Sequence, residues 1–182
     1  VSTLPLDANG FRGAVVLMRG TYEISGSLTI AASGVVLRGQ GMGEDGTILR
    51  AIGLDRRTLI RIRGRDDRQM RGEAISVTQP YVPVNSMRLE VAGTAGLAVG
   101  DRVFIRRPAT ERWIQALGTD DFGGDRHGPR WHTESHEIAW DRTITAIDGR
   151  TIAIDAPLTT AIAAEFGGPT VQKYNWPGRI ER

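Results

Sequence analysis

The chain has 182 residues, a net charge of +2 with acids and bases interspersed, and no Cys. That excludes disulfides and thiolate metal sites, leaves no basic run for nucleic-acid binding, and provides no stretch of about 18 apolar residues to span a membrane. An apolar share of 40% suffices for a buried core in one domain, or one domain plus a small second, while 23 Gly and 8 Pro favour turns over long helices.

The sequence opens at Val1 with neither an initiator Met nor a signal peptide, as expected of a processed chain or a fragment. Leu4-Pro5-Leu6-Asp7 is expected to begin a cap. From residue 11 to 64 a loose repeat follows: Val16-Leu17-Met18-Arg19-Gly20, then Val35-Val36-Leu37-Arg38-Gly39, then Ile60-Arg61-Ile62-Arg63-Gly64. Between these runs lie Thr21-Tyr22-Glu23-Ile24, Ser27-Leu28-Thr29-Ile30 and Thr47-Ile48-Leu49. Each run is short, β-branched or Leu-rich, and alternates apolar residues, so one face is buried. A sandwich wants longer strands joined by hairpins. Short strands whose motif returns after one coil-length of chain fit a solenoid. The Gly after each Arg is expected to turn a corner with φ > 0.

The run Gly13 to Ile24, with Tyr22 and Ile24 alternating, continues through Gly34-Val35-Val36-Leu37-Arg38-Gly39-Gln40-Gly41 to Gly46-Thr47-Ile48-Leu49. It resembles the first rungs of the pectin-lyase-like right-handed parallel β-helix proteins, over about a third of the chain. The resemblance implies a fold more than a function, because that group includes lyases, hydrolases, epimerases and phage tailspikes.

From about residue 76 the texture changes. Pro80-Tyr81-Val82-Pro83-Val84 reads as a stiff connector, and Ser86–Val91 and Gly100–Ile105 read as a strand and a turn followed by a strand. Residues 109 to 117 suit one short helix, broken at Gly118. Thr143–Ile147 and Thr151–Ile154 flank Asp148-Gly149 as a hairpin. Together these predict a small antiparallel barrel or sandwich, and similar insertions follow the first rungs of some pectin-lyase-like proteins. Val171–Tyr174 reads as a strand, and Pro177–Arg182 as the entry to another rung. The predicted class is therefore all-β: a short right-handed parallel β-helix segment over 1–78 and 169–182, with an inserted antiparallel β domain over 79–168.

Residues 113 to 140 hold all three His and three of the four Trp, in a long polar loop that is unlike a passive connector. Trp131, Trp113 and Trp140 can stack on sugar rings or cap the core of the insertion, and Arg130 offers planar donors beside them. His132 and His136 stand at i and i+4, which a helix would place on one face, and Asp120 or Asp121 could complete a metal site. The local sequence carries no helix signal, so hydrogen-bonded His is favoured and no metal is predicted. Calcium would need converging oxygens, which Asp120, Asp121 and Asp125 could offer; no other cofactor is implied. For acid–base work, His132, His136, Tyr81 or an Arg suits a lyase, whereas a glycosidase needs two carboxylates, available from Asp120, Asp121, Glu134 and Glu137.

The partner expected from the resemblance is a polysaccharide or oligosaccharide, in an extracellular or periplasmic setting, with the insertion walling a groove and supplying Trp131, His132 and Arg130. Three readings stand: a lyase or glycoside hydrolase whose catalytic rungs belong to a longer parent, a non-catalytic carbohydrate-binding or structural module, or a tailspike or adhesin fragment. The last would be trimeric; the sequence itself leaves the oligomeric state open.

Overall fold

Alternating apolar residues in runs too short for a sandwich form six strands in the first part of the chain: β1 (Gly13–Val16), β2 (Gly20–Ile24), β3 (Leu28–Ile30), β4 (Val35–Arg38), β5 (Thr47–Ala51) and β6 (Ile60–Ile62). In this computed structural model, which describes residues 1–123 and 130–181, no two consecutive strands among the six pair. Each pairs in parallel with the third strand along: β1 with β4, β2 with β5, β3 with β6. The chain therefore completes one three-stranded coil and lays a second against it, which is the β-helix arrangement. In-register residues share a face, so Val15 stacks on Leu37, Tyr22 on Leu49, Leu28 on Ile60 and Ile30 on Ile62.

The register corrects the Arg-Gly repeat. Gly13 meets Val35, Gly20 meets Thr47 and Arg38 meets Val16, so the three Arg-Gly pairs do not occupy equivalent positions. Of their glycines only Gly20 has a positive φ, at 132°. Gly39 and Gly64 are required for close approach instead. A Cβ on Gly39 would lie 2.9 Å from the Thr47 Cβ, and one on Gly64 would lie 1.8 Å from the Gly178 carbonyl oxygen. The Thr47 hydroxyl explains the first case: it accepts from the Gln40 amide at 2.8 Å and faces the Leu17 and Met18 carbonyls at 3.0 and 2.9 Å, fastening one coil to the other.

The segment before β1 lies on the first coil, as the cap reading expects. Asp7 Oδ1 accepts from the Asn9 and Phe11 amides at 2.9 and 2.8 Å, and Leu4 and Leu6 pack beside Gly13 and Gly34. Residues 176–181 return to the same unit. The Arg12 amide donates to the Gly34 carbonyl (2.6 Å), and the Gly34 amide donates in turn to the Glu181 carbonyl (3.1 Å), so three segments stack at one corner. At a second corner the Arg65 amide donates to the Gly178 carbonyl at 3.0 Å, and the Gly178 amide to Asp67 Oδ1 at 2.7 Å.

The chain divides into Val1–Arg68 with Trp176–Arg182, and Gln69–Asn175. The second unit contains β7 (Gln69–Ser76), β8 (Tyr81–Val82), β9 (Arg88–Glu90), β10 (Arg102–Arg107), α1 (Glu111–Ala116), β11 (Ile138–Asp148), β12 (Thr151–Ile154), β13 (Ile162–Ala163) and β14 (Thr170–Asn175). Its sheet takes in Gln69–Ser76, upstream of the connector at which the sequence texture changes. Six strands run antiparallel in the order β7-β14-β10-β11-β12-β9. A Val77–Val91 bridge, with the Thr78 amide donating to Glu90 and the Ala92 amide to Ser76, joins the two end strands. The sheet thereby closes, resolving barrel or sandwich in favour of a barrel, and closure removes exposed edges. The core is aliphatic: Leu89, Ile105, Ile144, Ile152, Ile154, Leu158 and Ile162 are all essentially inaccessible. The connector residues Tyr81 and Val82 pair with β13.

The hairpin forms where the sequence places it, one residue later than Asp-Gly implies. Asp148 pairs with Thr151, leaving Gly149 (φ 57°) and Arg150 as the two loop residues. Positive φ at the first loop position alone is the type II′ pattern. The helix also forms as read. Thr110 caps it, its hydroxyl accepting from the Trp113 amide at 3.2 Å, and Gly118 ends it at φ 66°.

Candidate functional site

Two turns of chain around α1 carry the polar loop. The Trp131 amide donates to the Thr119 carbonyl at 2.8 Å, bringing the two ends of the loop together. The Trp131 ring lies nearly parallel to the His136 ring, with centroids 4.9 Å apart and a 16° angle between planes, and tilts against Trp113 at 5.6 Å. Beside it opens a cavity of about 340 Å³ that gathers Asp120, Arg130, Trp131, His132 and Glu134, with Glu111 and Ile114 from α1.

Half-buried Trp131 offers the cavity an apolar wall. Exposed Arg130 makes no hydrogen bond or ion pair among the described residues, so its planar donors face outward unspent. Glu134 is exposed, and its carboxyl is held below the ordinary range by its own backbone amide first, then by the Thr133 hydroxyl. The cavity thus combines one aromatic face, one free guanidinium and three carboxylates, a set suited to a polyhydroxylated ligand: carboxylates accept from hydroxyls while the indole covers an apolar ring face.

Other sequence candidates fall elsewhere. Trp140 is 5% exposed in the barrel core, its Nε1 donating to Thr159 Oγ1 at 2.9 Å. Trp113 is 8% exposed and packs with Ala109 and Ile114. For both, core packing replaces the stacking role. Residues 132–136 form turns rather than a helix, and His136 Nδ1 accepts from the His132 amide at 3.1 Å and meets the Ser135 hydroxyl at 2.8 Å. That nitrogen is engaged in holding the turn, and no cluster of three metal-ligating side chains forms among the described residues. Asp121 Oδ1 accepts from the Gly123 amide at 2.8 Å, a local turn contact. Tyr81 and Glu137 do not line the cavity, and Asp125 lies outside the described residues.

A larger cavity, about 710 Å³, opens on the β7–β14 side of the barrel beside Arg71, Glu73, Lys173 and Tyr174. Its cations and its tyrosine hydroxyl are already paired, which leaves the exposed Glu73 carboxylate without a partner among the described residues. Lys173 Nζ meets Asp101 Oδ1 at 2.6 Å, Arg71 donates to Gln69 Oε1 at 2.9 Å, and the Tyr174 hydroxyl donates to Asp141. Within the Asp101 pair, burial raises the carboxyl but the Lys173 and Ala98 hydrogen bonds outweigh it, leaving the group below its ordinary value. The smaller cavity keeps its functional groups available, and for that reason it is the better candidate.

Sequence reasoning missed Arg107. It stands on β10 after Val103 and Ile105, whose alternation points it into the barrel end, and it is only 4% exposed. Its guanidinium lies 3.7 Å from the Trp113 ring centroid. Nε and Nη1 are buried and have no acceptor, and burial lowers its pKa. A desolvated cation–π contact contributes about 2 kcal/mol, while burying an ion costs several kcal/mol, so the stack offsets only part of the cost. No sequence pattern marks such a residue, because Arg on an alternating strand ordinarily reads as the solvent face.

No family model and no curated protein sequence matches the chain. Three solved structures that resemble it are phage tailspikes. The Gp54 tailspike of Acinetobacter baumannii bacteriophage AP22, in complex with A. baumannii capsular saccharide, is 13% identical over 92% of this chain and 22% of its own, with a TM-score of 0.39. Tailspike gp49 of Pseudomonas phage LKA1 is 19% identical over 88% and 23%, TM-score 0.39. Tailspike gp61 of Pseudomonas phage phi297 is 13% identical over 93% and 23%, TM-score 0.37. The chain thus spans less than a quarter of the length of these proteins. Among the described residues no helix is long and apolar enough to cross a membrane.

Proposed function

We propose that this chain binds a polysaccharide outside the cytoplasm, extracellularly or in a periplasm, and that the Trp131 cavity is its saccharide site. The observation that carries the reading is the meeting, in one cavity, of a half-buried indole wall, surrounding carboxylates and an Arg130 guanidinium that has no partner among the described residues. Three carboxylates against one guanidinium favour a neutral or amino sugar over a polyuronate, since like charges repel at close range. A glycosidase acid needs a carboxyl raised toward the working pH, so Glu134, shifted the other way, is not assigned that role.

The test is calorimetric titration of neutral and uronate oligosaccharides of equal length into the wild type and Trp131→Ala. Neutral oligomers should bind more tightly, and the substitution should weaken them about tenfold, equivalent to roughly 1.4 kcal/mol. Equal affinity in wild type and a folded Trp131→Ala protein would remove the saccharide role from this cavity.

A further inference from the structure

We propose that the α1 end of the barrel conceals an oxyanion-binding site whose receptor is Arg107, exposed when α1 carries Trp113 away from it. Arg107 itself does not line the saccharide cavity, although the two share helix α1 through Glu111, Ile114 and Gln115. Charged side chains inside proteins are paired, and when they are not, the unpaired state is retained at a cost. Arg107 has no acceptor for two of its three nitrogens and no carboxylate partner among the described residues. Its neighbours along the inward face, Val103 and Ile105, are fully buried and apolar. Barrel mouths are recurrent ligand sites, and a planar guanidinium is matched to carboxylate, sulfate or phosphate oxygens.

The cover is short. Helix α1 has six residues and buries Trp113 and Ile114, which pack with Ala109 and against Trp131, Ile138 and Phe166. Its outer fastening is the Arg112–Glu165 ion pair at 3.0 Å, exposed on both sides, with the Thr110 hydroxyl donating to the Phe166 carbonyl at 2.6 Å. Closing it over Arg107 removes the cation from water without giving it a counter-charge. An oxyanion that supplies that charge shifts the balance toward the open cover, by its differential affinity for that state.

Hydrogen exchange of residues 111–117 and thermal unfolding of the full chain test this, in sodium sulfate, sodium phosphate and sodium chloride at matched ionic strength. Wild type, Arg107→Met and Arg107→Lys are compared, so that the general stabilising effect of sulfate cancels. In wild type, sulfate or phosphate should speed exchange in 111–117 several-fold while raising the unfolding midpoint about 3 °C more than in Arg107→Met. Arg107→Lys, which lacks the planar fork, should lose most of that excess. In chloride, Arg107→Met should melt no lower than wild type and exchange more slowly at 111–117. An oligogalacturonate and a neutral oligomer form a further arm. A response to the inorganic ions assigns a free anion, and a response to the uronate alone assigns a polymer-borne carboxylate; either supports the site. Identical wild-type exchange with every anion overturns it. So does an Arg107→Met protein that unfolds or exchanges faster in chloride, since Arg107 is then a clasp for Trp113.

Discussion

Gly64→Ala tests the return of residues 176–181 to the coils most directly. The added methyl would sit 1.8 Å from the Gly178 carbonyl oxygen and 3.0 Å from its carbon, both backbone atoms that cannot rotate away. Relief requires the two segments to separate, which breaks the Arg65–Gly178 hydrogen bond of 3.0 Å and loosens the Gly178–Asp67 contact. One hydrogen bond contributes about 1 kcal/mol and overpacking costs about 1–3 kcal/mol, so the corner should weaken by about 2–4 kcal/mol. Gly26→Ala is the matched control, because its Cβ meets nothing within 4 Å and its φ is ordinary. Hydrogen exchange followed by mass spectrometry should show lost protection at 64–67 and 176–181 in Gly64→Ala, with peptides from β10 and β11 unchanged. Undiminished protection at 176–181 would refute the reasoning, because the close approach of Gly64 and Gly178 could not then exist.

Asp101→Asn should cost about 1 kcal/mol at neutral pH, the half-exposed Lys173 partner being discounted for screening. Because the folded carboxyl lies below its unfolded value, the contribution is complete above about pH 4 and vanishes as pH falls through the folded value. Chemical denaturation at pH 7 and at pH 2.5 should therefore show a gap between variant and wild type that closes in acid; a constant gap contradicts the ion-pair account. Excised residues 69–175 should melt cooperatively with native near-ultraviolet circular dichroism. The first and last strands are hydrogen-bonded neighbours, with Gln69 paired to Asn175, so both cuts fall at ends already held. A broad, non-cooperative melt would count against the barrel as an independent unit.

The coils were legible because each short strand alternates on its own: β2, β3, β4 and β6 fall within or beside the runs read from the sequence. What misled was the Arg-Gly pairing, a similarity of letters at positions the register separates. The glycine requirement at Gly39 and Gly64 comes from a partner distant in sequence, Thr47 in one case and Gly178 in the other, and no local pattern reveals it. β7 escaped notice for a related reason. Gln69–Ser76 is largely exposed and interrupted by Gly72 at φ 65°, so it lacks an apolar stripe, and its pairing with β14 is what makes it a strand. The cavity was half legible. Composition singled out the loop that holds Trp131, Arg130, His132, Asp120 and Glu134, but not the α1 wall, nor which Trp residues the core would claim.

Burial is distributed unevenly between the two units, and this bears on where function can reside. Among the described residues every large buried hydrophobic belongs to the barrel. In the coils Ile60 and Ile62 remain 39% and 66% exposed although they stack beneath Leu28 and Ile30. A solenoid layer buries its apolar face only between two neighbours, and two layers supply one neighbour each. The barrel has no such dependence, so it can carry a long polar loop. Among the described residues of that loop, the Trp131–Thr119 backbone bond and the ring contacts of Trp131 tie the segment that holds Trp131 back to α1 and its end. Trp131 therefore serves as both ligand wall and loop anchor, and Trp131→Ala removes both at once. Trp131→Phe separates them: a smaller ring that still packs on His136 keeps the loop ordered, so affinity lost in Phe measures the wall, and further loss in Ala measures the anchor.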